Sequence, residues 1–171
     1  VGFDLMTLAN NHALDFGESS LHEGMSLLAA ESIATIGAGR NSTAARAPHV
    51  ATISGVTVGF LNYVNVPVEW QGFDTEVWTA TEDRSGLAWG TVEGISADVA
   101  TLAPTVDHII VILHSGYEYQ ETPSPIQYAL SHAAVDAGAT LVVGHHAHVL
   151  QGVETTESGT IVYGLGNFES I

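Results

Sequence analysis

Leu141-Val142-Val143-Gly144-His145-His146-Ala147-His148-Val149-Leu150 decides how this chain is read. A β-branched apolar run ends in glycine, and three histidines follow within four residues. The run has the composition of a strand buried on both faces of a parallel sheet. Side chains alternate along an extended strand, so His146 and His148 are expected on one side and His145 on the other. Two imidazoles together, just past the end of a buried strand, can grip a transition metal ion. Open α/β sheets place their ligands beyond the carboxyl ends of their strands. The competing reading is a surface loop rich in histidine, and an H-x-H pair alone does not separate the two.

Working outward, residues 109–113 form a second apolar run that ends at His114-Ser115-Gly116. Residues 3–9 form a third, which ends at Asn10-Asn11-His12. Helical signals lie between the strands. Ser124 caps a helix with Pro125 at its first position, Ile126, Leu130, Ala133 and Ala137 give it an apolar face, and Gly138 closes it. Residues 95–103 form another helix, stopped by Pro104. Ser19 or Ser20 is placed to cap a first helix, with Glu23 three or four residues on and Leu21, Met25 and Leu28 at helical spacing. A short strand follows at Ala34–Ile36, and Asn41 caps a brief helix carrying Arg46. Residues 49–53 and 56–64 read as a hairpin through Ser54-Gly55, and 153–155 with 160–163 as a last one. Residues 65–90 hold Trp70, Trp78 and Trp89 and read as a long loop or insertion. Strands alternating with helices indicate a layered α/β domain.

Composition narrows the chemistry. At 171 residues the chain can bury one sizeable core, and 46% hydrophobic residues make it globular. Cysteine is absent, so any metal must take His, Asn, Asp or Glu. Nineteen acids face three bases, Arg40, Arg46 and Arg84, for a formal net charge of −16. That balance argues against nucleic acid or an anionic membrane surface as partner. With no lysine, it points to a salt-rich habitat where screening suppresses self-repulsion. The opening Val1-Gly2-Phe3-Asp4 has no methionine and runs almost at once into the Asn10-Asn11-His12 cluster, as expected of a chain whose beginning lies elsewhere.

Three strand ends thus carry metal-type residues: Asn11 with His12, His114, and His146 with His148. Three such ends in one α/β domain point to a metal centre more than to unrelated structural histidines. The stretches Leu8-Ala9-Asn10-Asn11-His12-Ala13-Leu14-Asp15-Phe16-Gly17, Gly37-Ala38-Gly39-Arg40-Asn41, Leu113-His114-Ser115-Gly116-Tyr117-Glu118-Tyr119, Gly144-His145-His146-Ala147-His148 and Gly164-Leu165-Gly166-Asn167-Phe168 carry a resemblance. In this order they resemble the CapA-type poly-γ-glutamate capsule biosynthesis proteins, over nearly the whole chain. That family is similar to the calcineurin-like metallophosphoesterases. The resemblance therefore implies a layered β-sandwich flanked by helices, with two divalent ions, Mn, Fe or Zn, in the full-length protein.

The same resemblance implies roles. Asn11, His114 and His146 match ligands of the second metal, and His148 a ligand of the first. His12 matches the group that protonates the leaving group, with Asp15 its candidate partner or a first-turn helix acid. The remaining ligands lie upstream in the family, so residues 1–171 are expected to be one capsule-synthesis domain lacking its N-terminal strand or strands. His145 stands where phosphoesterases carry glycine. The implied function is a metal-dependent phosphoesterase-like hydrolase domain for poly-γ-glutamate capsule synthesis or export. Its alternative is a non-catalytic scaffold that binds or exports the polymer. Both imply an anionic small-molecule or polymer substrate, capsule-synthesis partners at the membrane, and a cell-surface or membrane-anchored extracytoplasmic location. Arg40 and Arg46 are candidates to meet that anion or to form surface ion pairs. Glu118 is expected behind a ligand histidine or in solvent.

Overall fold

The computed structural model describes residues 2–68 and 72–167, so the expectations that involve Trp70 and Phe168 lie outside the described residues. Within them the order is β1 (Leu5–Thr7), α1 (Gly17–Ala30), β2 (Ala34–Ile36), β3 (Ala38–Gly39), α2 (Ser42–Arg46), β4 (His49–Ile53) and β5 (Val56–Asn65). Then come β6 (Gly86–Leu87), α3 (Val92–Leu102), β7 (His108–Ser115), α4 (Pro125–Asp136), β8 (Leu141–His145), β9 (Val153–Thr155) and β10 (Thr160–Val162). Six strands form the main sheet in the order β4-β5-β7-β8-β10-β9. Its four inner strands are parallel, and a hairpin at each edge adds an antiparallel strand.

The register sorts the two faces. Leu61 lies beside Val111, and Val111 beside Val142. These side chains point to α3 and α4 and join Ile95, Val99, Leu130, Ala134, Val135 and Ile161 in the larger core. Complete burial of each large aliphatic side chain stabilises the fold by roughly 1.5–3 kcal/mol. The next residues along β5, Asn62 and Val64, face the other way. Val64 packs with Ala9, Leu14, Leu21, Ala38 and Leu87 in a second core under β1, α1 and the β3–β6 pair. The layered α/β arrangement is therefore present, with α3 and α4 on one face of the main sheet. Among the described residues the opposite layer consists of α1 and two short strand pairs, β1–β2 and β3–β6.

Local chemistry explains most boundaries. α4 starts where Ser124 and Gln127 form a reciprocal capping box, with Pro125 in the first turn. Thr91 caps α3 through Gly94, and Asn41 caps α2 through Ala44. The β4–β5 turn places Ser54 and Gly55 at φ 52° and 88°, the left-handed pair a tight hairpin needs. The first helix departs from expectation. It begins at Gly17 with no side-chain cap, and Ser20 Oγ donates instead to the Phe16 carbonyl. Gly17, at φ 80°, turns the chain into the helix before either serine is reached. The 65–90 stretch is mostly loop, with a 3₁₀ turn at Thr75–Trp78 and the short β6.

Candidate functional site

The site lies at the carboxyl ends of β7 and β8. In the β7–β8 ladder His114 pairs with His145, so both rings leave the same face of the sheet. Their Nδ1 atoms are 2.8 Å apart, with ring centroids at 4.5 Å and an interplanar angle of 71°. Strand alternation holds only as far as His145. His146 and His148 take φ of 94° and 58°, outside the extended region. The expectation that His145 faces away from the other histidines is thereby corrected. The turn brings the His146 ring to 4.6 Å from that of His114, while His148 stands 6.4 Å from His146.

Asn11 reaches the same place from β1. The Ala9 N–H donates to Asn62 Oδ1 at 2.8 Å, and Asn62 Nδ2 donates to the Ile112 carbonyl at 3.2 Å. Asn62 therefore ties the exit of β1 to the middle of the main sheet. Gly37 packs against this tie at φ 88°, where a Cβ would stand 2.1 Å from Asn62 Oδ1. Two residues after Ala9, Asn11 Oδ1 accepts from His114 Nε2–H at 2.8 Å, and both side chains are buried. Asn62 is an amide in the middle of an apolar run, between Leu61 and Tyr63, and that is the local signal for a buried polar role.

His12 and Asp15 lie on the open side. His12 Nδ1 and Asp15 Oδ2 are 2.8 Å apart, and both side chains are exposed. His148 is held on both sides: Nδ1–H donates to Asn167 Oδ1 at 2.7 Å, and Glu118 Oε1 lies 3.8 Å from Nε2. Tyr119 stacks on its ring at 5.9 Å. Beside His146 opens a cleft lined by Val66, Pro67, Val68, Tyr117 and Glu118. Arg46 is elsewhere. It pairs with Asp98 at 2.7 Å, donates to the Trp89 carbonyl and lies over the Tyr63 ring, so it belongs to the core edge and not to an anion site. Arg84 donates to the Thr79 carbonyl.

Burial keeps the central histidines neutral. His114 is pushed far below the usual imidazole range, first by desolvation and then by the neighbouring His145 and His146. His145 falls to about 4, again mainly by desolvation. Imidazoles that stay neutral at pH 7 keep a lone pair, as a metal ligand must. Among the described residues no group of three or more His, Asp or Glu side chains is arranged to hold an ion. Asn11, His114 and His146 form a mixed set of one amide oxygen and two imidazoles. That chemistry fits one divalent ion of borderline softness. It does not fit two, because two cations at close range need a carboxylate to offset their charge.

Asn and His side chains thus collect at the strand ends of a layered α/β fold, a sheet flanked by helices. The chain belongs to the bacterial capsule synthesis protein PGA_cap family, whose profile matches residues 1–170. It is 32% identical over 171 residues to the capsule biosynthesis protein CapA of Bacillus anthracis, covering 98% of this chain and 40% of that protein. It is 31% identical over 169 residues to the PGA biosynthesis protein CapA of Bacillus subtilis, covering 98% of this chain and 43% of that one. The chain thus spans less than half the length of these curated relatives. Among solved structures, a candidate 5'-nucleotidase from Staphylococcus aureus in complex with alpha-ketoglutarate has a similar fold. The TM-score is 0.62 at 16% identity, over 96% of this chain and 32% of that chain.

Proposed function

We propose that this chain is part of a metal-dependent, phosphoesterase-like hydrolase that serves poly-γ-glutamate capsule synthesis or export. The observation that carries the reading is the meeting of Asn11, His114 and His146 from the ends of three strands, with His114 buried and neutral. A divalent ion bound there, Mn, Fe or Zn, would supply Lewis acidity and lower the pKa of a bound water. Asn11 Oδ1, His114 Nε2 and the His146 imidazole are the donors for it. His148, steadied by Asn167 and Glu118, would be the donor this chain offers to a second ion. Asp15 orients His12 through Nδ1, which leaves His12 Nε2 to hand a proton to the leaving oxygen. The substrate is anionic, a phosphate ester or a poly-γ-glutamate-related polymer. The partners are capsule-synthesis proteins at the membrane, at the cell surface or outside the cytoplasmic membrane.

A second reading has its own support. The mixed donor set holds no carboxylate, which suits a scaffold that binds or exports the polymer without cleaving it. Metal analysis of the full-length parent, with hydrolysis of bis(p-nitrophenyl) phosphate in Mn²⁺ or Zn²⁺, separates the two. Bound metal and turnover that both disappear in His146→Ala support the hydrolase. A metal-free, inactive parent that still binds poly-γ-glutamate favours the scaffold. The chain as it stands, titrated calorimetrically, is expected to take up at most one ion.

A further inference from the structure

The position of His145 is fixed from two sides. Its Cα pairs with that of His114 across the β7–β8 ladder. The preceding Gly144 lies against β10, where a Cβ would come 2.0 Å from the Tyr163 carbonyl oxygen, so the backbone has no slack. Two neutral imidazoles can bring their Nδ1 atoms to 2.8 Å only if one carries a hydrogen and the other is bare. The opposite nitrogen of His114 decides which. Its Nε2 faces Asn11 Oδ1, an acceptor, so the single hydrogen of His114 sits on Nε2. His114 Nδ1 is then bare, and His145 donates from Nδ1–H. His145 Nε2 is left bare and buried, with no hydrogen-bond partner among the described residues. Asn11, His114 and His145 thus form one chain in which each hydrogen determines the next.

We propose that His145 is a positioning residue for His114: it fixes the ring and is the group that can give His114 Nδ1 the hydrogen His114 needs to bind an ion through Nε2. The consequence for metal binding rests on the reading of His114 as a ligand. For ligation through Nε2, His114 must carry its hydrogen on Nδ1. His145 hands over the shared hydrogen and becomes the acceptor. The Nε2 hydrogen of His114 leaves to solvent, and one from solvent settles on His145 Nε2. Each ring ends with one hydrogen, as it began. Groups that hold a metal-binding histidine from behind orient it and raise its basicity, and their loss costs roughly 10- to 100-fold in metal affinity.

The test is long-range ¹H–¹⁵N spectroscopy of the histidine-labelled chain, without metal and during a Zn²⁺ titration. Without metal, His114 should be the Nε2–H tautomer and His145 the Nδ1–H tautomer; Zn²⁺ should exchange both. His145→Phe keeps a ring but no nitrogen. It should leave His114 the Nε2–H tautomer that Asn11 dictates, with a shifted Nδ1 resonance, and weaken Zn²⁺ binding roughly 10- to 100-fold. His145→Asn, with an amide near the place of Nδ1, should recover most of that loss. His145 found as Nε2–H in the metal-free chain overturns the proposal. So do unchanged His114 shifts in His145→Phe, or Asn as damaging as Phe. The wild-type spectra decide the pairing even if His145→Phe does not fold. The stated tautomers in a chain that takes up no Zn²⁺ would support the positioning role and overturn the metal reading of His114.

Discussion

Asn62 links the fold to the site, and Asn62→Ala tests that link. The change removes the acceptor for the Ala9 N–H and the donor to the Ile112 carbonyl. Ala9 is 1% exposed and Asn62 2%, so the freed N–H has no ready access to bulk water. An orphaned buried donor costs about 1–3 kcal/mol, and loss of the second bond about 1 kcal/mol more. The expected destabilisation is therefore about 2–4 kcal/mol, a sizeable share of the roughly 5–15 kcal/mol that holds a domain together. In a chain of this length that lowers the melting temperature by roughly 5–15 °C. The effect should be greatest near β1. Amide exchange at residues 9–12 should accelerate more than exchange in β7 or β8, and the His114 Nε2–H resonance should broaden as Asn11 loosens. Urea titration and exchange mass spectrometry measure both. A stability loss under about 0.5 kcal/mol with unchanged exchange at residues 9–12 would refute the idea that Asn62 anchors the site loop, since it would leave no cost for the orphaned donor.

Other expectations follow from the same geometry. In the full-length parent His12→Ala should leave metal content intact and slow turnover by roughly 10²–10⁴-fold, the range for a lost general acid; metal loss in this variant counts against the assignment. With a net charge of −16 and no lysine, the melting temperature should climb from low salt to molar KCl as the Debye length falls from about 10 Å to about 3 Å; a flat or falling series removes the case for salt adaptation. Tyr63 is raised beyond the ordinary phenol range, first by burial and then by Asp98, whose carboxylate accepts its hydroxyl hydrogen at 2.7 Å. The unfolded chain releases that proton near pH 10, the folded chain only above it, so the contribution is complete below about pH 10 and is lost as pH rises further. Tyr63→Phe should flatten the alkaline decline in stability between about pH 9 and 11, and an unchanged slope rejects this origin; Tyr163, also raised, first by burial and then by Glu154, keeps part of the decline.

The parts of this molecule that are legible in sequence are those decided within one element. Ser124, Pro125 and Gln127 announce α4, and the apolar runs before His114 and His145 announce buried strands, because caps and two-residue alternation are local properties. What escapes is set between elements. Alternation assigns His145 to the far side from His146 because it assumes an extended chain throughout, whereas φ of 94° at His146 ends the strand one residue earlier. The contact of His145 with His114 follows from the lateral register of β7 on β8, across 31 residues of sequence, and no pattern within either strand encodes it. Asn62 meets Ala9 across 53 residues, and Arg46 meets Trp89 across 43. A strand-by-strand reading therefore finds the residues that meet around His114, Asn11 and His146, through their place at strand ends. It passes over Asn62 and places His145 on the wrong side, because each is defined by its partner and not by its own neighbours in the chain.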